Sequence, residues 1–149
     1  MRDFLLVIHI LAVGAWIGAN VTQFLVTPRF RNEGGAAAAA WMGSIVLMGR
    51  LLYTPAAILV LLSGVWLVLD SDLYEFEHAF VAIGFATVIA AGLFGALIFG
   101  KRGAAAAEAF AAGDDARGKK IANSTVPFAI VDMALVVIAV TAMVGRWGV

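Results

Sequence analysis

The chain contains no cysteine. Disulfides, thiolate metal sites and cysteine nucleophiles are excluded from the outset. Charge is almost as scarce. Asp, Glu, Lys and Arg make up 13% of the residues, against about 25% in an ordinary soluble domain. The ten basic and ten acidic side chains cancel to a formal charge of zero, which argues against nucleic-acid binding through a basic patch. Only two histidines and three prolines occur. No nucleophilic triad, phosphate loop or metalloprotease motif is present. Met42, Met48, Met133 and Met143 are scattered, without the clustering expected of a copper pathway.

Apolar residues fill the space that charge leaves. They make up 63% of the chain, and the mean hydropathy is +0.99. A membrane span needs about 20 mostly apolar residues, and four runs qualify, roughly 4–26, 48–69, 79–100 and 126–145. The first begins with one Arg, lacks a small-residue cleavage site and is too long for the apolar core of a signal peptide, so it reads as a helix of the mature protein. The fold expected is a single domain over 1–149, an all-α integral membrane protein built as an up-down four-helix bundle. Pro28 is expected to end the first helix and Pro55 to kink the second. The alanine-rich stretch from 36 suggests a short interfacial helix or the start of a long tilted second helix, and 104–112 suggests a short interfacial helix. Gly113, Asp114 and Asp115 should terminate the second of these. Gly14, Gly18, Gly84, Gly92, Gly95 and Gly100 suggest close approach between helices.

Eight of the ten basic residues belong with the first and third loops: Arg29, Arg31, Arg50, Lys101, Arg102, Arg117, Lys119 and Lys120. Only Arg2 and Arg146 lie at the other end. The positive-inside bias places those two loops in the cytoplasm, with both termini and the acidic loop Asp70–His78 outside.

One polar pattern stands out within the spans. His9, Val13, Trp16, Asn20, Gln23 and Thr27 alternate in steps of four and three, which keeps them on one side of a helix. Lipid cannot satisfy such a seam, so it should face protein or a cofactor. His78 opens the third helix in the same leaflet as His9. Neutral imidazoles are good ligands for haem iron or copper, so His9 and His78 form a candidate metal or haem pair, with Trp16 among the residues that would line a macrocycle. The alternative is that His9 hydrogen-bonds a neighbouring helix and His78 is a solvated residue at a helix start. Asp132 lies inside the fourth run, where an isolated acid costs several kcal/mol, and Arg50 is the partner the sequence offers for a buried pair.

These residues carry a family resemblance. His9-Ile-Leu-Ala-Val-Gly-Ala-Trp16-Ile-Gly, with Pro28-Arg29 further on, resembles the first-helix signature of the HemJ-type protoporphyrinogen IX oxidases. Met48-Gly-Arg50-Leu-Leu-Tyr53-Thr-Pro55-Ala resembles that family's second-helix segment, and Asn123-Ser-Thr-Val-Pro127 its approach to helix four. The same pattern is similar to copper-resistance D-type membrane proteins and to uncharacterised bacterial four-helix membrane proteins. The resemblance implies a bacterial cytoplasmic membrane protein that binds haem b through His9, with Arg50 placed for a porphyrin propionate, engaged in redox or porphyrin handling. Gly49 stands where the oxidases have Glu, and no charge falls between His78 and Lys101, so the resemblance points to a member with altered chemistry. Two other functions fit the residues. One is a non-catalytic structural subunit, a homo-oligomer or part of a larger membrane complex, whose contacts are otherwise with the lipid bilayer. The other is metal or proton-coupled transport centred on Asp132.

Overall fold

A computed structural model describes all 149 residues. The chain is all-α, with no strand, and its longest non-helical connection is residues 70–78. Four helices are each long and apolar enough to cross a membrane: α1 (Arg2–Glu33), α2 (Gly35–Leu69), α3 (Ala79–Ala111) and α4 (Asp115–Val144). They contain 32, 35, 33 and 30 residues. At 1.5 Å per residue they are about 45–52 Å long, well beyond the ~30 Å of a hydrocarbon core. Their large apolar side chains point outward over the apolar lengths, as at Leu11, Leu51, Leu62, Ile89 and Val137.

Each helix overshoots at the end carrying loops one and three, and there the four form a packed stalk. Phe110 is its anchor, 1% exposed, set among Ala38, Met42, Ala106 and Ala122. Gly118 lies flat on the Phe110 ring; a Cβ there would come within 2.8 Å of it. Residues 35–48 are the start of a long α2, one of the two arrangements the sequence suggests, and 100–111 continue α3 rather than forming a separate interfacial helix. The reason lies in their composition. A run of alanines has no broad apolar face for a membrane surface, but its small side chains let helix axes approach closely.

Pro28 does not end α1. It sits inside the helix, which continues to Glu33. The segment beyond it is held to α2 by Phe30 stacked on Trp41 at 5.2 Å and by the Trp41 indole donating to Thr27 Oγ1 at 3.0 Å. The turn to α2 is made by Gly34 and Gly35, both with positive φ (75° and 53°), where L side chains are strained. Asp115 Oδ1, at the start of α4, accepts from Gly35 N at 2.9 Å and ties the two helix starts together.

Pro55 produces no break either. The turn just before it, Gly49–Tyr53, is a π-helix, widened to i→i+5 bonding. That relieves the clash a proline ring makes with the preceding turn. Thr54 Oγ1 donates to Gly49 O at 2.9 Å across the widened turn. α3 has a matching π-turn at Gly95–Phe99. Gly113 (φ 78°) and Asp114, whose carboxylate accepts from Arg117 N at 3.0 Å, separate α3 from α4 where the sequence placed the stop.

Over the apolar lengths α1 packs on α2 and α3 on α4, and contacts between these two hairpins are sparser. The inward glycines are Gly64 and Gly84, against His9 and Met143. Gly14, Gly18, Gly92 and Gly95 have nothing within 4 Å of where a Cβ would stand, so the close packing expected of them is not within this chain.

Candidate functional site

The polar seam of α1 meets α2 at His9, Gln23 and Thr27 and also reaches α3 and α4 through Trp16 and Asn20, and its residues fall into two clusters. The upper cluster is centred on His9, which is buried. Its Nδ1 lies 2.9 Å from Ser63 Oγ on α2. The Ser63 hydroxyl donates back to the Leu59 carbonyl. With its single proton committed, Ser63 Oγ accepts from His9, so the ring proton sits on Nδ1. Nε2 then carries the lone pair. It makes no hydrogen bond. It is also not among the sealed, unpartnered polar atoms, of which Trp16 Nε1 is the one example. Gly64 leaves room for the imidazole, since a Cβ there would sit 3.3 Å from Cε1.

The lower cluster is a chain of donors. Gln23 Nε2 donates to Tyr53 Oη at 2.9 Å. Tyr53 Oη donates to Asn20 Oδ1 at 2.6 Å. Asn20 Nδ2 donates to Asp132 Oδ2 at 2.9 Å. Asn20 and Asp132 are 9% and 6% exposed. The Trp16 ring meets the Tyr53 ring edge-on at 6.0 Å, and its indole lies beside the Asp132 carboxylate. The π-turn at Gly49–Tyr53 sets the rotation at which Tyr53 enters this network.

The pairing expected of Arg50 and Asp132 is not formed. Arg50 is exposed, and the partner of Asp132 is Asn20. A neutral amide satisfies the acid without burying a second charge, whose desolvation would cost several kcal/mol. The long Arg50 stem is free to carry its charge to the polar boundary. His9 and His78 are likewise engaged separately. His78 is the residue preceding α3; its Nδ1 accepts from Glu75 N at 2.8 Å and its ring stacks on Phe80 at 6.0 Å. No group of three or more His, Cys, Asp or Glu side chains is placed to hold a metal ion. Sequence reasoning missed Ser63 and Tyr53 as partners. Ser63 was detectable as the one hydroxyl in the run 56–69.

Two spaces adjoin these clusters. One is an internal void of about 40 Å³ between the hairpins, lined by Val13, Trp16, Val60, Thr87, Val136 and Met143 among others. Its lining is almost wholly apolar, and it is far too small for a macrocycle. The other is an open apolar groove of about 360 Å³ on the outer flank of α1 and α2, running between Ile8, Ala12, Leu51, Pro55 and Leu59. Small-molecule sites begin at roughly 300 Å³. The groove reaches the residues next to His9 and Arg50, Ile8 and Leu51, although neither His9 nor Arg50 lines it.

No family model, curated protein or solved structure matches this chain.

Proposed function

We propose that this chain is a small multi-pass protein of a bacterial cytoplasmic membrane, of the HemJ-like type, that binds haem b through His9 for redox or porphyrin handling. The observation that carries the reading is the His9–Ser63–Leu59 relay. It fixes the neutral imidazole as the Nδ1–H tautomer and leaves Nε2 as a free lone pair. A hydrogen bond that fixes tautomer and ring orientation is the usual support of a ligating histidine. The donor set therefore suits one axial ligand, whereas the internal void excludes a porphyrin between the four helices. The groove on the α1–α2 flank is the larger space, but His9 does not line it, so the reading rests on the ligand and its support rather than on a formed haem cavity. Bound haem b would supply one-electron redox chemistry. The protein's part is to orient the ligand through Ser63 and to present an apolar wall. His78, engaged at the start of α3, is not part of this reading. The basic residues of loops one and three support an orientation with the stalk in the cytoplasm.

The test is a visible spectrum of protein purified in mild detergent from haem-supplemented cells, oxidised and then dithionite-reduced. The reading expects a Soret band with sharp reduced α and β bands, lost in His9→Ala. A flat spectrum in the wild type refutes it.

A second reading, a homo-oligomeric structural subunit, is favoured by Gly14 and Gly18. They lie one turn apart on α1 with open space beyond both, the arrangement through which helices dimerise in lipid. Oligomers that dissociate in Gly14→Ile, with no cofactor in either protein, would support it.

A further inference from the structure

Asp132 is not used by the haem reading, and its surroundings have a chemistry of their own. The side chain is 6% exposed. Its one side-chain hydrogen bond comes from a neutral amide, and Oδ1 has no partner. Beside it the Trp16 indole N–H is buried and also unpartnered. The Trp16 ring borders the void of about 40 Å³. The indole N–H and the acid thus lie side by side, and of the two only Trp16 borders the void. We infer that Asp132 is a proton-binding site in the interior of the bundle, which takes up and releases a proton without a counter-cation.

Three arguments select the proton. An ionised acid in this environment has no charge to offset it, so the species that binds must be cationic. The void leaves no room for an organic cation. A metal cation such as calcium takes six or more oxygen ligands and sodium needs a similar cage. Here the oxygens beside Asp132 are those of Asn20 and Tyr53, both already committed to hydrogen bonds. A proton needs one lone pair, and Oδ1 offers it.

The donor chain has a defined part in this. Every link donates toward Asp132: Gln23 to Tyr53, Tyr53 to Asn20, Asn20 to the carboxylate. A carboxamide cannot accept a proton at nitrogen and pass it on, so the chain is no wire. It holds Oδ2 and leaves Oδ1 outside the donor chain. The groups facing Asp132 are Trp16 and Asn20 from α1 and Tyr53 from α2 through Asn20, while from α3 Thr87 reaches the α4 backbone three residues on, at the Leu135 carbonyl, at 3.4 Å. Tyr53 is the one titratable group among them. The inference does not depend on haem binding.

The experiment is infrared difference spectroscopy of the protein in phosphatidylcholine vesicles, titrated with pH, with ¹³C-aspartate labelling to identify the band. The expected result is a protonated-carboxyl band that shifts on labelling, comes and goes with pH, and is lost in Asp132→Asn. Replacing sodium by potassium or choline should leave its midpoint unchanged. Asn20→Ser, which keeps the acid, should move the midpoint by about a unit, tenfold in proton affinity. The inference is overturned if the wild type shows no pH-dependent band beyond those retained in Asp132→Asn, or if the midpoint ignores Asn20→Ser. A midpoint that follows sodium concentration overturns it in favour of a metal cation.

Discussion

Removal of the Asn20 carboxamide should unpick two hydrogen bonds at once, and the size of the effect tests the network. Asn20 donates to Asp132 and accepts from Tyr53. In a soluble protein, losing one buried bond costs about 1 kcal/mol net, and stranding a buried partner costs about 1–3 kcal/mol more. For Asn20→Ala that reasoning gives roughly 3–4 kcal/mol. Between helices in a membrane, measured bonds average about 0.6 kcal/mol and reach about 1.7. Two bonds then give roughly 1–3 kcal/mol, which we take as the expectation for Asn20→Ala. Tyr53→Phe deletes one of the same two bonds and the acceptor of Gln23, again two bonds, at about 1–3 kcal/mol on the same scale. Because the mutations share a bond, their costs cannot add. The double variant should be less destabilised than the sum by about 0.6–1.7 kcal/mol. The assay is equilibrium unfolding in mixed detergent micelles, followed by circular dichroism, for all four corners of the cycle. Additivity within about 0.3–0.5 kcal/mol would show that Asn20 and Tyr53 do not act together, and the network would reduce to neighbouring but independent side chains.

Three further outcomes are expected. Arg50→Ala and Asp132→Asn should be additive in the same assay to within about 0.5 kcal/mol, since Arg50 is exposed and touches neither Asp132 nor Asn20; a larger coupling would restore the ion pair. Gly34→Ala places a side chain at φ 75° and against the Asp115 carboxylate, so it should cost about 1–3 kcal/mol and speed protease cleavage between α1 and α2, with Asp115→Ala removing part of that penalty; unchanged cleavage would count against the turn as described. If haem binds, Ser63→Ala should weaken it about 10- to 100-fold, the usual effect of losing the group that orients a ligand, measured by spectroscopic titration; an affinity equal to wild type would detach Ser63 from ligation.

The α1 seam was legible because a step of four and three is a statement about direction. His9, Trp16, Asn20, Gln23 and Thr27 each meet α2 or a residue linked to it. The partner of Asp132 was not legible, because pairing requires the rotational phase of a second helix. The π-turn at Gly49–Tyr53 adds one residue to a turn, which at 100° per residue rotates everything beyond it by about that much. An ideal helix drawn through Arg50 misassigns which of its neighbours looks inward. The stalk was legible as helix but not as packing: Ala38 and Ala106 read as strong helix formers, but propensity does not say that they would be packed at 0% exposure against another helix. Trp41 and Thr27, which keep the chain helical past Pro28, form a contact between α1 and α2 that neither sequence segment announces alone.

The overshoot of the helices divides the basic residues into two layers. With the apolar lengths in a bilayer, Lys101 and Arg102 lie at the height of the headgroups, and Arg102 is held there over Phe128 at 5.3 Å and against the Ser124 carbonyl at 2.8 Å. Arg117 lies nine residues before Val126, about 13 Å further out along the helical path. The Debye length at physiological salt is about 8 Å. The lower layer therefore senses anionic lipid directly, whereas the field of the membrane is largely screened at Arg117. Mutating the first layer should disturb insertion and orientation, while the second is presented to whatever approaches from the aqueous side.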